Sequence, residues 1–250
     1  MDQKTLAKSA TPTETLITHK KPNALSKVCN TYLKGLHAAG IHKVERVSQN
    51  PQGTDVIVDD IHRINFCANN YLGLANHPRV VQAAKDTIDT HGFGMASVRI
   101  ICGTQDKHKE LERVISDFHK MEDTVLYPSC FDANAGLFEA LLNEQDCVIS
   151  DALNHASIID GIRICKAERL TYKHLDMKDL EEKLKNSMDK RVRMIATDSV
   201  FSMDGDLAPL PEIVALAKKY DAVTFIDECH GTGVYGESGK GLPEYFGMEG

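Results

Sequence analysis

The chain has 250 residues, enough for one or two domains with a core of ordinary size. Its 29 Lys and Arg set against 36 Asp and Glu leave a net charge of −7, which argues against a nucleic-acid coat or a protein held on an anionic membrane surface. No apolar run approaches the roughly 20 residues that a bilayer core demands, so no membrane-spanning helix is predicted.

Seven cysteines (Cys29, Cys67, Cys102, Cys130, Cys147, Cys165 and Cys229) are scattered, odd in number and without a C-x-x-C pair. That pattern suits a reducing compartment, the cytoplasm or alternatively the mitochondrial matrix, and argues against a disulfide framework or a zinc knuckle. Residues 1–22 contain neither arginine nor an apolar h-region, so a flexible tail is expected there and not a secretory signal.

Asn23 is placed to cap a helix whose apolar positions Leu25, Val28, Tyr32 and Leu36 follow the 3.6-residue period, with Gly40 as its stop. Val56 to Val58 and Ile64 to Phe66, flanking Asp59-Asp60, predict a hairpin over 56–58 and 64–66. From residue 106 the chain alternates: a helix at 111–118, a strand at 124–127, a helix at 131–142, a strand at 147–150 and a helix at 158–165. A strand at 170–172, a helix at 177–184, a strand at 194–197, a helix at 213–220 and an apolar strand at 223–226 complete the series. This order predicts an α/β fold with a mostly parallel sheet. The expected division is tail 1–22, a helix-and-hairpin segment 23–75 and a large domain 76–250.

In such sheets ligands sit beyond the carboxyl ends of the strands. The residues just past four of the five strands predicted in this stretch are Ser129-Cys130-Phe131, 151–155, 198–202 and 227–230. Each alone reads as an ordinary cap or turn; the four together predict a site.

Two motifs near the end mislead. Asp227-Glu228-Cys229-His230 spells a DECH box, but a DECH-box ATPase needs a P-loop upstream, and the Gly239-Lys240 pair is downstream with Val234 where the first glycine belongs. The G-x-G-x-x-G at 231–236 follows a strand yet opens no regular helix over 237–243, so no dinucleotide fingerprint is expected. The junction at Ser129-Cys130-Phe131-Asp132 offers helix N–H groups to an anion such as a phosphate. With Asp227, His230, His155 and Ser202 it suggests pyridoxal 5′-phosphate, whose pyridine nitrogen wants a carboxylate, its face an imidazole and its ring oxygen a Ser and a His.

Five segments carry a resemblance: Asn65-Phe66-Cys67-Ala68-Asn69-Asn70-Tyr71-Leu72-Gly73-Leu74; His91-Gly92-Phe93-Gly94-Met95-Ala96-Ser97-Val98-Arg99; Gly103-Thr104-Gln105-Asp106 with His108-Lys109-Glu110-Leu111-Glu112; Ser150-Asp151-Ala152-Leu153-Asn154-His155-Ala156-Ser157; and Phe201-Ser202-Met203-Asp204-Gly205. In this order they resemble the α-oxoamine synthases, fold-type I pyridoxal-phosphate enzymes. The runs at 91–112 and 129–134 look most like the members that condense glycine with acetyl-CoA to 2-amino-3-oxobutanoate and CoA. Sister synthases making 8-amino-7-oxononanoate or 5-aminolevulinate are the alternative. The resemblance implies that Cys130 and Phe131 hold the cofactor phosphate, and that His155 stacks on the ring and Asp227 pairs with its nitrogen. It places Ser202 and His230 near the ring hydroxyl and Asn69 at the amino-acid carboxylate; His155, Asp227 and His230 would be the catalytic residues. It also implies a homodimer, no metal, and a Schiff-base lysine in a loop beyond Gly250. The chain is therefore expected to be a fragment, truncated before the C-terminal part of the fold, with Lys240 no substitute for that lysine.

Overall fold

The computed structural model describes residues 22–248, so the tail expected over 1–22 lies outside the described residues but for Pro22. Two compact units divide the chain. One runs to Pro51 and takes in Asp55–Ile64; the other holds Gln52–Thr54 and everything from Asn65 onward.

In the first unit Asn23 caps α1 (Ala24–Ala38) by accepting from the Ser26 N–H at 2.8 Å. Leu25, Val28 and Tyr32 are all exposed. β1 (Asp55–Val58) and β2 (Ile61–Ile64) form an antiparallel hairpin with Val58 opposite Ile61. Asp59 and Asp60 both take positive φ, 51° and 61°, the backbone that a two-residue hairpin turn requires. That turn sets the register, which is why the second arm ends at Ile64 and does not span the predicted 64–66.

The second unit opens with α2 (Pro78–His91), which the sequence reading missed. Pro78 begins it and the His77 side chain caps it, and Val80, Ala84 and Ile88 share one of its faces, yet none of its residues is buried. A π-helical turn at Arg99–Gly103 and α3 (Asp106–His119) follow. The predicted strand at 124–127 joins no ladder among the described residues, and Val125 stays 74% exposed. Propensity alone does not hold a strand without a neighbour to pair with.

The regular part comprises α4 (Cys130–Leu141), β3 (Cys147–Asp151), α5 (Ala156–Ile164), β4 (Glu168–Tyr172), α6 (Met177–Asn186), β5 (Arg193–Asp198), α7 (Leu210–Lys219) and β6 (Val223–Asp227). The four strands are parallel in the order β4-β3-β5-β6. The pleat sorts their side chains between two apolar layers. Cys147, Ile149 and Ile195 pack with Leu180 and Leu184 of α6 and Ile213 and Ala217 of α7, while Val148, Met194 and Ala196 pack with Phe138 of α4 and Ile158 and Ile162 of α5. Gly161 lets α5 lie close against α4, since a Cβ there would meet the Asn134 carbonyl oxygen at 2.2 Å. The order reverses between β3 and β5: the chain leaves β3 toward β4 and later leaves β5 toward β6. Right-handed crossovers then place α5 on one face and α6 and α7 on the other, and open a crevice at the carboxyl ends of β3 and β5. Past β6 the glycine loop opens no helix at once; the four-residue α8 (Leu242–Tyr245) starts beyond it and takes in the last two residues of the stretch expected to be non-helical.

Candidate functional site

A cavity of about 210 Å³ opens at the carboxyl ends of the strands, lined by Asn69, Cys130, Phe131, His155, Ser157, Asp198, Asp227, Cys229 and His230. Every residue singled out from the sequence is there except Ser202. Ser202 is exposed and lines a neighbouring cavity of about 220 Å³ with Tyr71, Phe201 and Tyr235, to which His230 also contributes.

Asp227 ends β6 and is only 6% exposed. Its Oδ2 accepts from Asn134 Nδ2 at 2.7 Å and from Cys130 Sγ at 3.5 Å, and its Oδ1 from the Cys229 N–H at 2.9 Å. Burial pushes this carboxyl up, but those hydrogen bonds outweigh it and hold Asp227 below the usual carboxylate range. Its neighbour in the sheet register, Asp198, goes the other way, pushed up to about 6 by burial and by the charge of Asp227, against the bond from the His155 N–H. The two carboxyls of this buried pair are thus shifted in opposite directions. No lysine or arginine lies within ion-pair distance of Asp227 among the described residues, so a buried anion faces the cavity without a cation.

His155, at the N-terminus of α5, bridges the crevice: its N–H donates to Asp198 Oδ2 at 2.7 Å. Its Nδ1 accepts from the Ser157 N–H at 3.2 Å and lies 2.6 Å from Ser157 Oγ. A neutral His155 therefore carries its proton on Nε2. Asn134 donates to Ser157 Oγ at 2.9 Å as well as to Asp227, tying the two groups together from a buried position on α4. His230 is set differently. Tyr71 Oη lies 2.6 Å from His230 Nδ1 and 3.3 Å from Asn69 Oδ1, so its hydroxyl ties the His230 ring to the mouth of the cavity. At the start of α4, Ser129 caps by accepting from the Asp132 N–H at 3.1 Å, and the N–H groups of Cys130 and Phe131 precede the first intrahelical bond.

Asn134, Ser157, Asp198, Cys229 and Tyr71 were not assigned from the sequence. Asn134 stood one helical turn past Cys130, a spacing that shares a helix face, and Ser157 stood in the first turn of the helix that His155 caps, within reach of the cap side chain. Asp198 stood at a predicted strand end.

The family model "Aminotransferase class I and II" matches residues 61–248. A protein named 2-amino-3-ketobutyrate coenzyme A ligase, mitochondrial, from Mus musculus is 54% identical over 92% of this chain and 56% of its own length. One named 2-amino-3-ketobutyrate coenzyme A ligase from Escherichia coli strain K12 is 56% identical over 85% of this chain and 54% of its own. A solved structure of a serine palmitoyltransferase variant from S. paucimobilis with a bound PLP-myriocin aldimine superposes with a TM-score of 0.85 at 31% identity, covering 91% of this chain and 60% of that one. The chain spans about half the length of the curated relatives it matches. On the match over residues 61–248, joined to the parallel sheet and its strand-end cavity, the chain belongs to the aminotransferase class I and II family.

Proposed function

We propose that this chain supplies the cofactor-binding part, over residues 76–250, of a pyridoxal-phosphate-dependent acyltransferase that condenses glycine with acetyl-CoA to 2-amino-3-oxobutanoate and CoA, and in reverse yields glycine. One observation carries the reading: the buried, ionised Asp227 that faces the strand-end cavity without a cation of its own. A protonated pyridine nitrogen would supply that missing charge. The rest of the lining fits the same group. The α4 N-terminus suits its phosphate, the His155 imidazole its ring face, and the His230 imidazole its ring hydroxyl.

When bound, pyridoxal phosphate supplies an electron sink for the pair left on an amino acid's α-carbon. The chain's own residues set the conditions. Asp227 keeps a proton on the ring nitrogen by opposing charge, and Asn134 and the Cys229 N–H keep Asp227 ionised. Asn69, at the mouth and bonded to Tyr71, suits the amino-acid carboxylate. Ser202 is proposed as a partner of the ring oxygen from the adjoining cavity. The names of the relatives from mouse and E. coli support glycine and acetyl-CoA as the substrates. We further propose a homodimer in a reducing compartment, the cytoplasm or the mitochondrial matrix; all seven cysteines are unpaired, and no helix among the described residues is long and apolar enough to cross a membrane.

The test is CoA-thiol release by the full-length protein with glycine and a panel of acyl-CoAs, with and without added pyridoxal phosphate. Cofactor-dependent release greatest with acetyl-CoA is expected. Preference for a longer or dicarboxylic acyl group would move the assignment to a sister synthase, and release indifferent to the cofactor would overturn it.

A further inference from the structure

We propose that Cys130, Asp227 and Cys229 form a three-ligand site for a thiophilic divalent cation such as zinc or cadmium. The two thiol sulfurs and a carboxylate oxygen of Asp227 lie within 4.8 Å of one another. One edge already has the length found in a coordination polyhedron: Cys130 Sγ is 3.5 Å from Asp227 Oδ2. A tetrahedral zinc with Zn–S of about 2.3 Å and Zn–O of about 2.0–2.2 Å sets sulfur and oxygen about 3.5 Å apart. That edge therefore exists without any ion.

Two independent pieces of backbone hold the ligands. Cys130 is the first residue of α4, whereas Asp227 ends β6 and Cys229 sits in the turn beyond it, its N–H closing on Asp227 Oδ1 at 2.9 Å. Asn134 steadies the group from behind, donating to Asp227 Oδ2 at 2.7 Å and reaching Cys130 Sγ at 3.6 Å. All three ligands line the 210 Å³ cavity, which gives an entry path and leaves the fourth position to water or to an imidazole of His155 or His230, lining the same space. Two sulfurs and one carboxylate favour zinc or cadmium over magnesium or calcium. Each thiol gives its proton to the buffer when the ion binds. The buried charge of Asp227, unpaired by lysine or arginine, is an attraction the ion shares with any other cation.

This site goes beyond the proposed cofactor and does not depend on it. The two are linked through Asp227, which cannot serve both: an ion bound here excludes pyridoxal phosphate, and the cofactor protects the thiols.

The experiment titrates the chain with Cd²⁺ and reads the thiolate-to-cadmium absorbance in the near ultraviolet, with far-ultraviolet circular dichroism confirming that each variant is folded. One equivalent should saturate the band. Cys130→Ser and Cys229→Ser should each remove about half of it and weaken binding by about ten-fold or more, and Cys102→Ser should change nothing. Asp227→Asn should keep the two-thiolate band and lower the affinity, an arm that holds even where a serine variant fails to fold. A band unchanged by either serine variant, or lost with Cys102→Ser, overturns the proposal. Added pyridoxal phosphate should raise the apparent Cd²⁺ dissociation constant. A band that needs both thiols but ignores pyridoxal phosphate would leave the metal site standing and count against the cofactor reading; pyridoxal phosphate binding without such a band would do the reverse.

Discussion

Asp227 and Glu228 are adjacent acids with opposite surroundings. Successive residues at a strand end point to opposite sides, so Asp227 reaches the cavity while Glu228 turns back to accept from the Leu242 N–H at 3.1 Å. Burial pushes Glu228 up to about 7. Asp227→Ala should weaken pyridoxal phosphate binding by about 10–100-fold, the worth of one charge-assisted hydrogen bond at about 1.5–3 kcal/mol, whereas Glu228→Gln should leave it within about three-fold; equilibrium titration decides. Glu228 should show instead in stability. Its folded pKa lies above the unfolded value, so its contribution is full below pH about 4 and is lost as pH rises through about 7. The urea midpoint should therefore fall between pH 5 and pH 8, and fall less in Glu228→Gln. Asp227, His155 and Cys130 were legible because each follows an apolar run that reads as a strand or opens a helix. Asn134 and Tyr71 were not. They act by holding other side chains, Asn134 one that is 93 residues away, and no short motif records such a contact.

At the scale of elements, the entries to β3 and β5 are clamped by one side chain. Asp146 is fully buried and accepts from the Asn143 and Val192 N–H groups and from Arg191 through Nε at 2.9 Å and a second guanidinium nitrogen at 2.7 Å. The Arg191 bond, working against burial, holds its carboxyl down at about 2. Asp146→Ala should cost about 2 kcal/mol in denaturant unfolding, because it strands two N–H groups, while the half-exposed Arg191 turns to water. With the folded pKa depressed, the contribution of Asp146 is present above the ordinary carboxylate range and lost as pH falls from about 4 toward about 2. The strands this clamp aligns were readable because β3 and β5 are buried on both faces and each carries an apolar triplet, residues 147–149 and 194–196. Burial alone did not decide what was legible: α1 and α2 both bury nothing, yet α1, with Asn23 before it and Gly40 after it, could be read, while residues 124–127 have strand-forming side chains but no ladder.

At the scale of the molecule, the second unit leaves much apolar surface uncovered. Phe66, Phe93, Ile100 and Ile101 are 89%, 93%, 95% and 77% exposed. Apolar surface of that kind marks a place where other protein sits. Sedimentation velocity should show concentration-dependent self-association that Ile100→Asp reduces. A compact monomer at every concentration, with a cooperative unfolding transition, would contradict both the homodimer proposal and this reading of the surface.

The central claim is that the strand-end cavity receives pyridoxal phosphate with its ring nitrogen on Asp227. A crystal structure of the protein grown with pyridoxal phosphate tests it most directly. The account predicts the phosphate at the N–H groups of Cys130 and Phe131, the ring against His155 and the pyridine nitrogen within hydrogen-bond distance of the Asp227 carboxylate. Pyridoxal phosphate bound elsewhere, or in this cavity with its nitrogen turned away from Asp227, would contradict it.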